Sequence, residues 1–280
     1  MISFVVPAYN EEKYLGPTLA AIHAAARAVG EPYEIVVAND GSTDDTAQLA
    51  EAGGARVVTV QKRQIAVTRN AGAAAAQGEW LVFVDADTRV NADVVRGTVE
   101  AFRGGAVAGG APVRFDGGPR WVHWTAPIVV FLFRHIKWAA GCFLFARRDV
   151  FEKVGGFDER YPYAHMEDTD LQFRLRKAGY MIHFVPEAEV DHPPRPLPWG
   201  VRLARVHESS VLHMVLHGPR RGLPWYLVNQ ARARMSRIVR GRKSIDTVSA
   251  LASLPVELSH IALHWRAWHR KARSYTQQRA

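Results

Sequence analysis

Four short apolar runs punctuate the first 115 residues, Ile2 to Val6, Glu34 to Ala38, Arg56 to Val60 and Trp80 to Val84, with helical patterns between them. Near-continuous apolar character over a few residues suits a strand buried on both faces. Strands separated by helices join readily as parallel neighbours, because the crossover helix covers the sheet that it connects. The expected class is α/β, a mixed, mostly parallel sheet flanked by helices.

The helical patterns are specific. Leu15, Leu19, Ile22, Ala26 and Val29 repeat at helical spacing, and so do Val95, Val99 and Phe102. Ser42 with Asp45 three residues later suggests a capping box for a helix from Asp45 to Ala52, stopped by Gly53-Gly54. Trp121 to Phe133 is expected as a helix with an exposed aromatic face, and Cys142 to Ala146 as another strand. A short helix begins near Glu167, carries Leu171, Leu175 and Ala178 on one face, and closes at Gly179. Pro193, Pro194, Pro196 and Pro198 then break regular structure, so we expect one domain over 1–199 and a basic, mainly helical region over 200–280.

Charge divides the chain in the same place. Residues 201–280 hold 15 Lys or Arg against 3 Asp or Glu, a net +12, whereas residues 1–200 hold 21 against 24. The basic region suits phosphate-rich partners such as an anionic bilayer, and the chemistry belongs to the other part. Two readings stand for Leu258, Ile261, Trp265 and Trp268, which share one helical face: an interfacial helix with Arg266, Arg270, Lys271 and Arg273 as cations, or a helix packed inside the protein. Nucleic acid ranks below a membrane surface, because these aromatics form helical stripes and no stacking sheet. Met1 runs directly into the first apolar run with no basic leader, and the longest apolar stretch falls short of the roughly 20 residues of a bilayer span. Cys142, the sole cysteine, reads as a buried small hydrophobe and fits a reducing compartment. The expected location is cytoplasmic, peripheral on the inner face of the membrane.

Acidic residues cluster where strands end. Asp85-Ala86-Asp87 follows Trp80 to Val84 directly, so two carboxylates emerge at a carboxyl edge, where open α/β sheets bind ligands. Hard oxygen donors there suit Mg²⁺ or Mn²⁺, which can bridge two phosphates of a nucleoside diphosphate. Asn39-Asp40 and Pro7-Ala8-Tyr9-Asn10-Glu11 end two further strands on that edge.

The series Val6-Pro7-Ala8-Tyr9-Asn10-Glu11, Val36-Val37-Ala38-Asn39-Asp40-Gly41-Ser42, Arg69-Asn70-Ala71-Gly72 and Phe83-Val84-Asp85-Ala86-Asp87-Thr88 resembles family 2 glycosyltransferases of the GT-A fold. The resemblance extends through Gly155-Gly156-Phe157-Asp158-Glu159 to Glu167-Asp168-Thr169-Asp170-Leu171 and covers roughly residues 1 to 192. It implies an inverting enzyme that moves a sugar from a nucleotide-diphosphate sugar, a UDP-sugar by preference, to a hydroxyl of a glycan or lipid-linked acceptor. By that resemblance Pro7, Ala8, Tyr9, Glu11 and Asp40 would hold the nucleoside, Asp85 with Ala86 the ribose or metal shell, and Asp87 the divalent ion, with His192 as a further ligand. Asp168 would be the general base, with Glu167 beside it. Arg69 has two readings, a brace for the nucleoside loops or an ion pair with Asp40 or Asp85, and Asp170 is expected to pair with Arg174. The chain departs from many relatives at Gln61-Lys62-Arg63-Gln64-Ile65-Ala66-Val67-Thr68-Arg69-Asn70, where they carry a glycine-led segment before an Ala-Arg-Asn motif.

Two other functions compete. A nucleotidyltransferase would need a glycine-rich basic loop after the first strand, and Pro7 to Glu11 is acidic and lacks glycine. A non-catalytic sugar-nucleotide-binding or scaffold protein would have no use for Asp87, Asp168 and His192.

Overall fold

The computed structural model describes residues 1–115, 139, 141–161, 166–185 and 190–192, together with 212–213, 216, 265–270 and 274. The chain divides into two compact units, Met1–Glu159 with Glu167–Pro196 and Arg160–Met166 with Leu197–Ala280. The segment Arg160–Met166 thus joins the second unit. The expected helix over Trp121 to Phe133 lies outside the described residues.

In the first unit the strands are β1 (Ile2–Ala8), β2 (Tyr33–Asn39), β3 (Arg56–Thr59), β4 (Trp80–Val84), β5 (Ala108–Gly110), β6 (Val113–Phe115), β7 (Phe143–Arg147), β8 (Ile182–Phe184) and β9 (Val190–His192). The helices are α1 (Leu15–Val29), α2 (Thr46–Ala52), α3 (Ile65–Ala75), α4 (Ala92–Arg103), α5 (Arg148–Lys153) and α6 (Glu167–Lys177). Seven strands form one sheet in the order β3-β2-β1-β4-β7-β5-β8, and β6 pairs with β9 in a separate ribbon. β1 runs parallel to β2 and β4, whereas β7 lies antiparallel to β4 and β5, so the sheet is mixed as expected.

Strand alternation builds a core on each face. Phe4, Val6, Val82, Val84, Phe143 and Phe145 point to one side, where α1 and α4 cover them through Leu15, Leu19, Ile22, Val94, Val95, Val99 and Phe102. Val5, Leu81, Phe83, Leu144 and Ala146 point to the other, where α3, α5 and α6 bring Ala66, Ala73, Phe151, Leu171 and Leu175. Phe83 meets Phe157 edge to face with ring centroids 5.0 Å apart. Each such buried side chain contributes about 1.5–3 kcal/mol. Helix α3 sits close enough on β1 that a Cβ on Gly72 would come within 2.5 Å of Val5 Cγ1.

Two local expectations differ from the structure. β3 is an edge strand with Arg56 and Thr59 exposed, so its apolar run is buried on neither face completely. Ser42 does not cap α2: the helix starts at Thr46 with no side-chain cap from Asp45, and Ser42 Oγ instead accepts from the Asn10 N–H at 3.0 Å. A hydroxyl in a crossover loop finds partners across the sheet edge as readily as in its own helix.

In the second unit Tyr161 and Leu212 are buried together, and the Tyr161 hydroxyl lies 2.9 Å from His213 Nδ1. Residues 265–270 are helical, with Trp265 and Trp268 buried and Arg266 and Arg270 exposed. Of the two readings of that stripe, the packed helix is the one found for these two tryptophans. Among the described residues no helix is long and apolar enough to cross a membrane.

Candidate active site

The registers Ala8↔Asn39 and Val5↔Phe83 bring the carboxyl ends of β1, β2 and β4 to one edge. Pro7 and Ala8 are buried within β1, and the chain surfaces only at Tyr9 and Asn10. The loops after β1 and β2 are laced together: Asn10 Oδ1 accepts from the Thr43 N–H at 2.8 Å, and Thr46 Oγ1 accepts from the Glu11 N–H at 2.8 Å. Glu11 is itself nearly buried, so its backbone position is fixed by α2.

Asp40 closes a third loop onto this pair. Its Oδ1 accepts the N–H groups of Lys62 at 2.7 Å and Arg63 at 2.9 Å, and its Oδ2 accepts the Gln64 N–H at 2.9 Å and the Thr68 hydroxyl at 2.8 Å. Burial raises the carboxyl's pKa, but the donors Arg63, Lys62, Thr68 and Gln64 outweigh it and hold the group below its ordinary value. These four bonds shape the segment from Lys62 to Thr68. Arg63 within it adopts φ 51°, and its guanidinium lies over the Tyr9 ring, 3.5 Å from the centroid.

Farther along the edge, Arg69 on α3 is almost wholly buried and joins four pieces of chain. It donates to Asp85 Oδ1 at 2.7 Å, Glu167 Oε1 at 2.8 Å and the Gly141 carbonyl at 3.0 Å, while the Phe157 ring lies beneath its guanidinium. The expected ion pair with Asp85 is present, and its partner across the site is Glu167 in place of Asp40. Proximity to Asp85 and Glu167 overrides desolvation and keeps the guanidinium firmly charged.

Helix α6 delivers the acidic pair. Burial first, then the charge of Asp168, pushes the Glu167 carboxyl up to about 8 against the opposing pull of Arg69. Its Oε2 is buried with no hydrogen-bond partner among the described residues. Asp168 is half-buried, with Oδ1 accepting the Thr169 N–H at 2.7 Å. Met166, just before the helix, has φ 76°. Among the described residues the non-glycine positions with left-handed φ are Asn10, Arg63 and Met166, where each costs about 1–2 kcal/mol.

The turn Asp85-Ala86-Asp87 is held from two sides. Asp85 N–H donates to the Cys142 carbonyl at 3.1 Å, and the Ala86 carbonyl accepts the Thr18 hydroxyl at 2.8 Å. Asp87 is buried to 7% exposure. Two residues on, Arg89 exchanges backbone hydrogen bonds with Asp191, which places the backbone of β9 and of His192 beside the turn. The His192 imidazole lies outside the described side chains. Among the described residues no group of three or more His, Cys, Asp or Glu that could hold a metal ion is assembled; the turn itself offers only carboxylate oxygens, those of Asp87 and of Asp85, whose Oδ1 Arg69 already engages.

Several positioning residues were not legible in the sequence. Gln172 brackets the Ala139 peptide, accepting its N–H and donating to its carbonyl, both at 2.9 Å. A Cβ on Gly141 would fall 2.7 Å from Asp168 Oδ2, so this glycine lets the loop approach the acidic pair. Asn70 likewise grips the Phe157 backbone at both N–H and C=O, 2.9 Å each. Arg174 pairs with Asp170 at 2.6 Å, as its i,i+4 spacing implies, and also donates to the Gly156 carbonyl.

With this geometry in hand, residues 3–155 match the profile of Glycosyl transferase family 2, and residues 80–268 that of Glycosyl transferase family group 2. The chain is 30% identical over 177 residues to the undecaprenyl-phosphate 4-deoxy-4-formamido-L-arabinose transferase of Pseudomonas paraeruginosa, covering 57% of this chain and 51% of that protein. The chain thus spans about half of this curated relative, and as little as 19% of another that it matches. In structure it resembles mannosyltransferase PcManGT of Pyrobaculum calidifontis, solved with GDP-Man and Mn²⁺, at TM-score 0.60 and 18% identity over 98% of this chain and 84% of that one. It also resembles glucosyl-3-phosphoglycerate synthase of Mycobacterium tuberculosis, solved with Mn²⁺, UDP and glucosyl-3-phosphoglycerate, at TM-score 0.56 and 23% identity over 79% and 82%. At these identities the structural likeness establishes the GT-A fold.

Proposed function

We propose, on the premise that this chain belongs to glycosyl transferase family 2, that it is an inverting, metal-dependent glycosyltransferase acting on a nucleotide-diphosphate sugar, with UDP-sugars favoured. The acceptor is a hydroxyl of a glycan or lipid-linked molecule, met at the cytoplasmic face of a membrane, where the net +12 of residues 201–280 favours an anionic surface. The observation that carries this reading is Arg69, one buried cation bonded both to Asp85 of the β4 turn and to Glu167 of the acidic pair. It ties a donor-side carboxylate to an acceptor-side one.

In this reading Pro7, Ala8, Tyr9, Glu11 and Asp40 shape the nucleoside end, and Asp85 with Ala86 the ribose end. Asp87, with Asp85 and His192, would hold Mn²⁺ or Mg²⁺, which when bound supplies positive charge to the diphosphate leaving group. Asp168 takes the proton from the acceptor hydroxyl as its oxygen attacks the anomeric carbon, on the face opposite the departing diphosphate. Attack from that face inverts the centre. Glu167 beside it is the carboxyl whose pKa burial and the charge of Asp168 push up, which eases the crowding of negative charge at the base.

The test is a nucleotide-sugar panel scored by released diphosphate, with donor affinity measured by calorimetry. Asp168→Asn should lower kcat by about 10² to 10⁴ with donor affinity unchanged. Asp87→Ala should abolish the Mn²⁺-dependent part of donor binding. Normal turnover in Asp168→Asn, or unaltered Mn²⁺-dependent affinity in Asp87→Ala, would overturn the assignment of that residue.

A further inference from the structure

Asp40 raises a question that the donor site must answer. An ionised carboxylate offers about four acceptor positions, and those of Asp40 meet the backbone of Lys62, Arg63 and Gln64 and the Thr68 hydroxyl. Asn39 is similarly engaged, its Oδ1 accepting the Ser42 N–H at 3.1 Å. The residues expected to meet the nucleoside at the end of β2 are therefore spent on holding loops. Gln61, Lys62 and Arg63 are exposed on those loops, and Arg63 is the one whose side chain lies over Tyr9.

Arg63 is unusual in three respects. Its backbone is left-handed, at φ 51°, a conformation that a side-chain-bearing residue rarely adopts. Its N–H is pinned by Asp40, so the strained conformation is enforced. Its guanidinium lies face-on over Tyr9, 3.5 Å from the ring centroid, with a further bond from Nη2 to the Gly41 carbonyl at 3.4 Å. Both residues are exposed, so the outer plane of the guanidinium faces outward from the loop.

The strand order says which part of a donor this plane meets. Arg63 stands over the ends of β1 and β2, through Tyr9 and Gly41, whereas Asp85 and Asp87 follow β4 on the other side of β1. Adjacent strands lie about 4.8 Å apart. A diphosphate engaged at the β4 turn therefore leaves the nucleobase over β1 and β2. A planar, delocalised cation already stacked on an aromatic ring is a surface on which a base can stack in turn.

We infer that Arg63 is a nucleobase-binding residue: the donor's base stacks on the outer face of its guanidinium, in a Tyr9–Arg63–base sandwich. This rests on the proposed use of a nucleoside-diphosphate donor. It assigns a contact to the segment that departs from the family pattern, and it assigns Arg63 to the base, not to the phosphates. Stacking of this kind tolerates any base, so discrimination among bases lies elsewhere.

Calorimetric titration of the full chain with uridine, UMP and UDP, in Mn²⁺, tests it. Arg63→Ala and Arg63→Lys should each weaken all three ligands by a similar factor of about 5- to 100-fold, since lysine keeps the charge but lacks the plane. The loss should persist when salt is raised. Arg63→Gly relieves the left-handed strain while removing the side chain, so its matching loss would separate binding from any folding defect. Recovery in Arg63→Lys, a loss confined to UDP, or tighter uridine binding in Arg63→Ala would each overturn the inference while leaving the donor class intact. Absence of UDP binding in the unaltered protein would instead overturn the proposed function, and this inference with it.

Discussion

Two carboxylates at the carboxyl edge of the sheet are equally hidden, Asp40 at 4% exposure and Glu167 at 3%, yet their environments push them in opposite directions. Asp40 is met by four donors from its own chain and stays ionised. Glu167 has one strong donor, Arg69, shares it with Asp85, and stands next to Asp168, so burial and the neighbouring charge push its pKa up. Low solvent exposure alone therefore decides neither shift. Glu167 lies deeper among protein atoms than Asp40, and that depth, with the count of donors against neighbouring anions, separates a carboxylate that builds a loop from one that tempers a reaction centre.

The comparison breaks most visibly if the shared cation is removed. Arg69→Ala leaves the Asp85 carboxylate without its cation and the buried Glu167 carboxyl and Gly141 carbonyl without their donor, and loss of one partner of a buried ion pair typically costs about 3–5 kcal/mol. Chemical denaturation should show a loss of this size. Arg69→Lys should recover only part of it, because one ammonium cannot reproduce the fork that reaches Asp85, Glu167 and the Gly141 carbonyl together. Full stability in Arg69→Ala would mean that the cluster is held by packing around Phe157 and Gly141.

A smaller effect is expected at the other end. Asp40→Asn keeps the shape of the side chain but sets an NH₂ group against donors, leaving backbone N–H groups of residues 62–64 partly unpaired. The expected cost is about 2–3 kcal/mol, with nucleotide affinity falling as Arg63 loses its fixed position. Amide hydrogen exchange at Lys62, Arg63 and Gln64 should accelerate in this variant. Unchanged protection there would show that the loop is held by other contacts.

The sheet, its flanking helices and the strand-end placement of Tyr9, Asp40 and Asp85 were legible because each depends on a local apolar run and the residue that follows it. The network was legible only in the Arg69–Asp85 pair, one of the readings of Arg69. Its extension to Glu167, 98 residues away, was not, since no spacing rule links such positions. The Ser42 capping signal misled for the same reason, since the hydroxyl met Asn10 from 32 residues earlier. Gly141 and Gln172 carry no motif at all, and their roles follow from the Asp168 side chain and the Ala139 peptide that they meet. Resemblance supplied candidate roles for Asp87, Asp168 and His192, and what the structure adds is the burial of Asp87 and the close approach of the Gly141 loop to Asp168.

The gentlest way to sharpen the comparison is to vary pH. Glu167 has a folded-state pKa near 8 against an ordinary 4.5, so between those values the native protein holds a proton that the unfolded chain has released. Its contribution to stability is complete below about 4.5 and is lost as pH rises through 8, with a slope of at most about 1.4 kcal/mol per pH unit. Asp40 behaves in reverse: its folded pKa is lowered, so its contribution is present above the unfolded value and is lost as pH falls through the folded one. The two residues thus bracket a stability maximum in the mildly acid range. Glu167→Gln fixes the neutral form and should flatten the alkaline limb of the profile while leaving the acid limb in place. Asp40→Asn should do the opposite. An alkaline limb that persists unchanged in Glu167→Gln would show that the proton taken up on folding is not held by Glu167, and the contrast with Asp40 would fall with it.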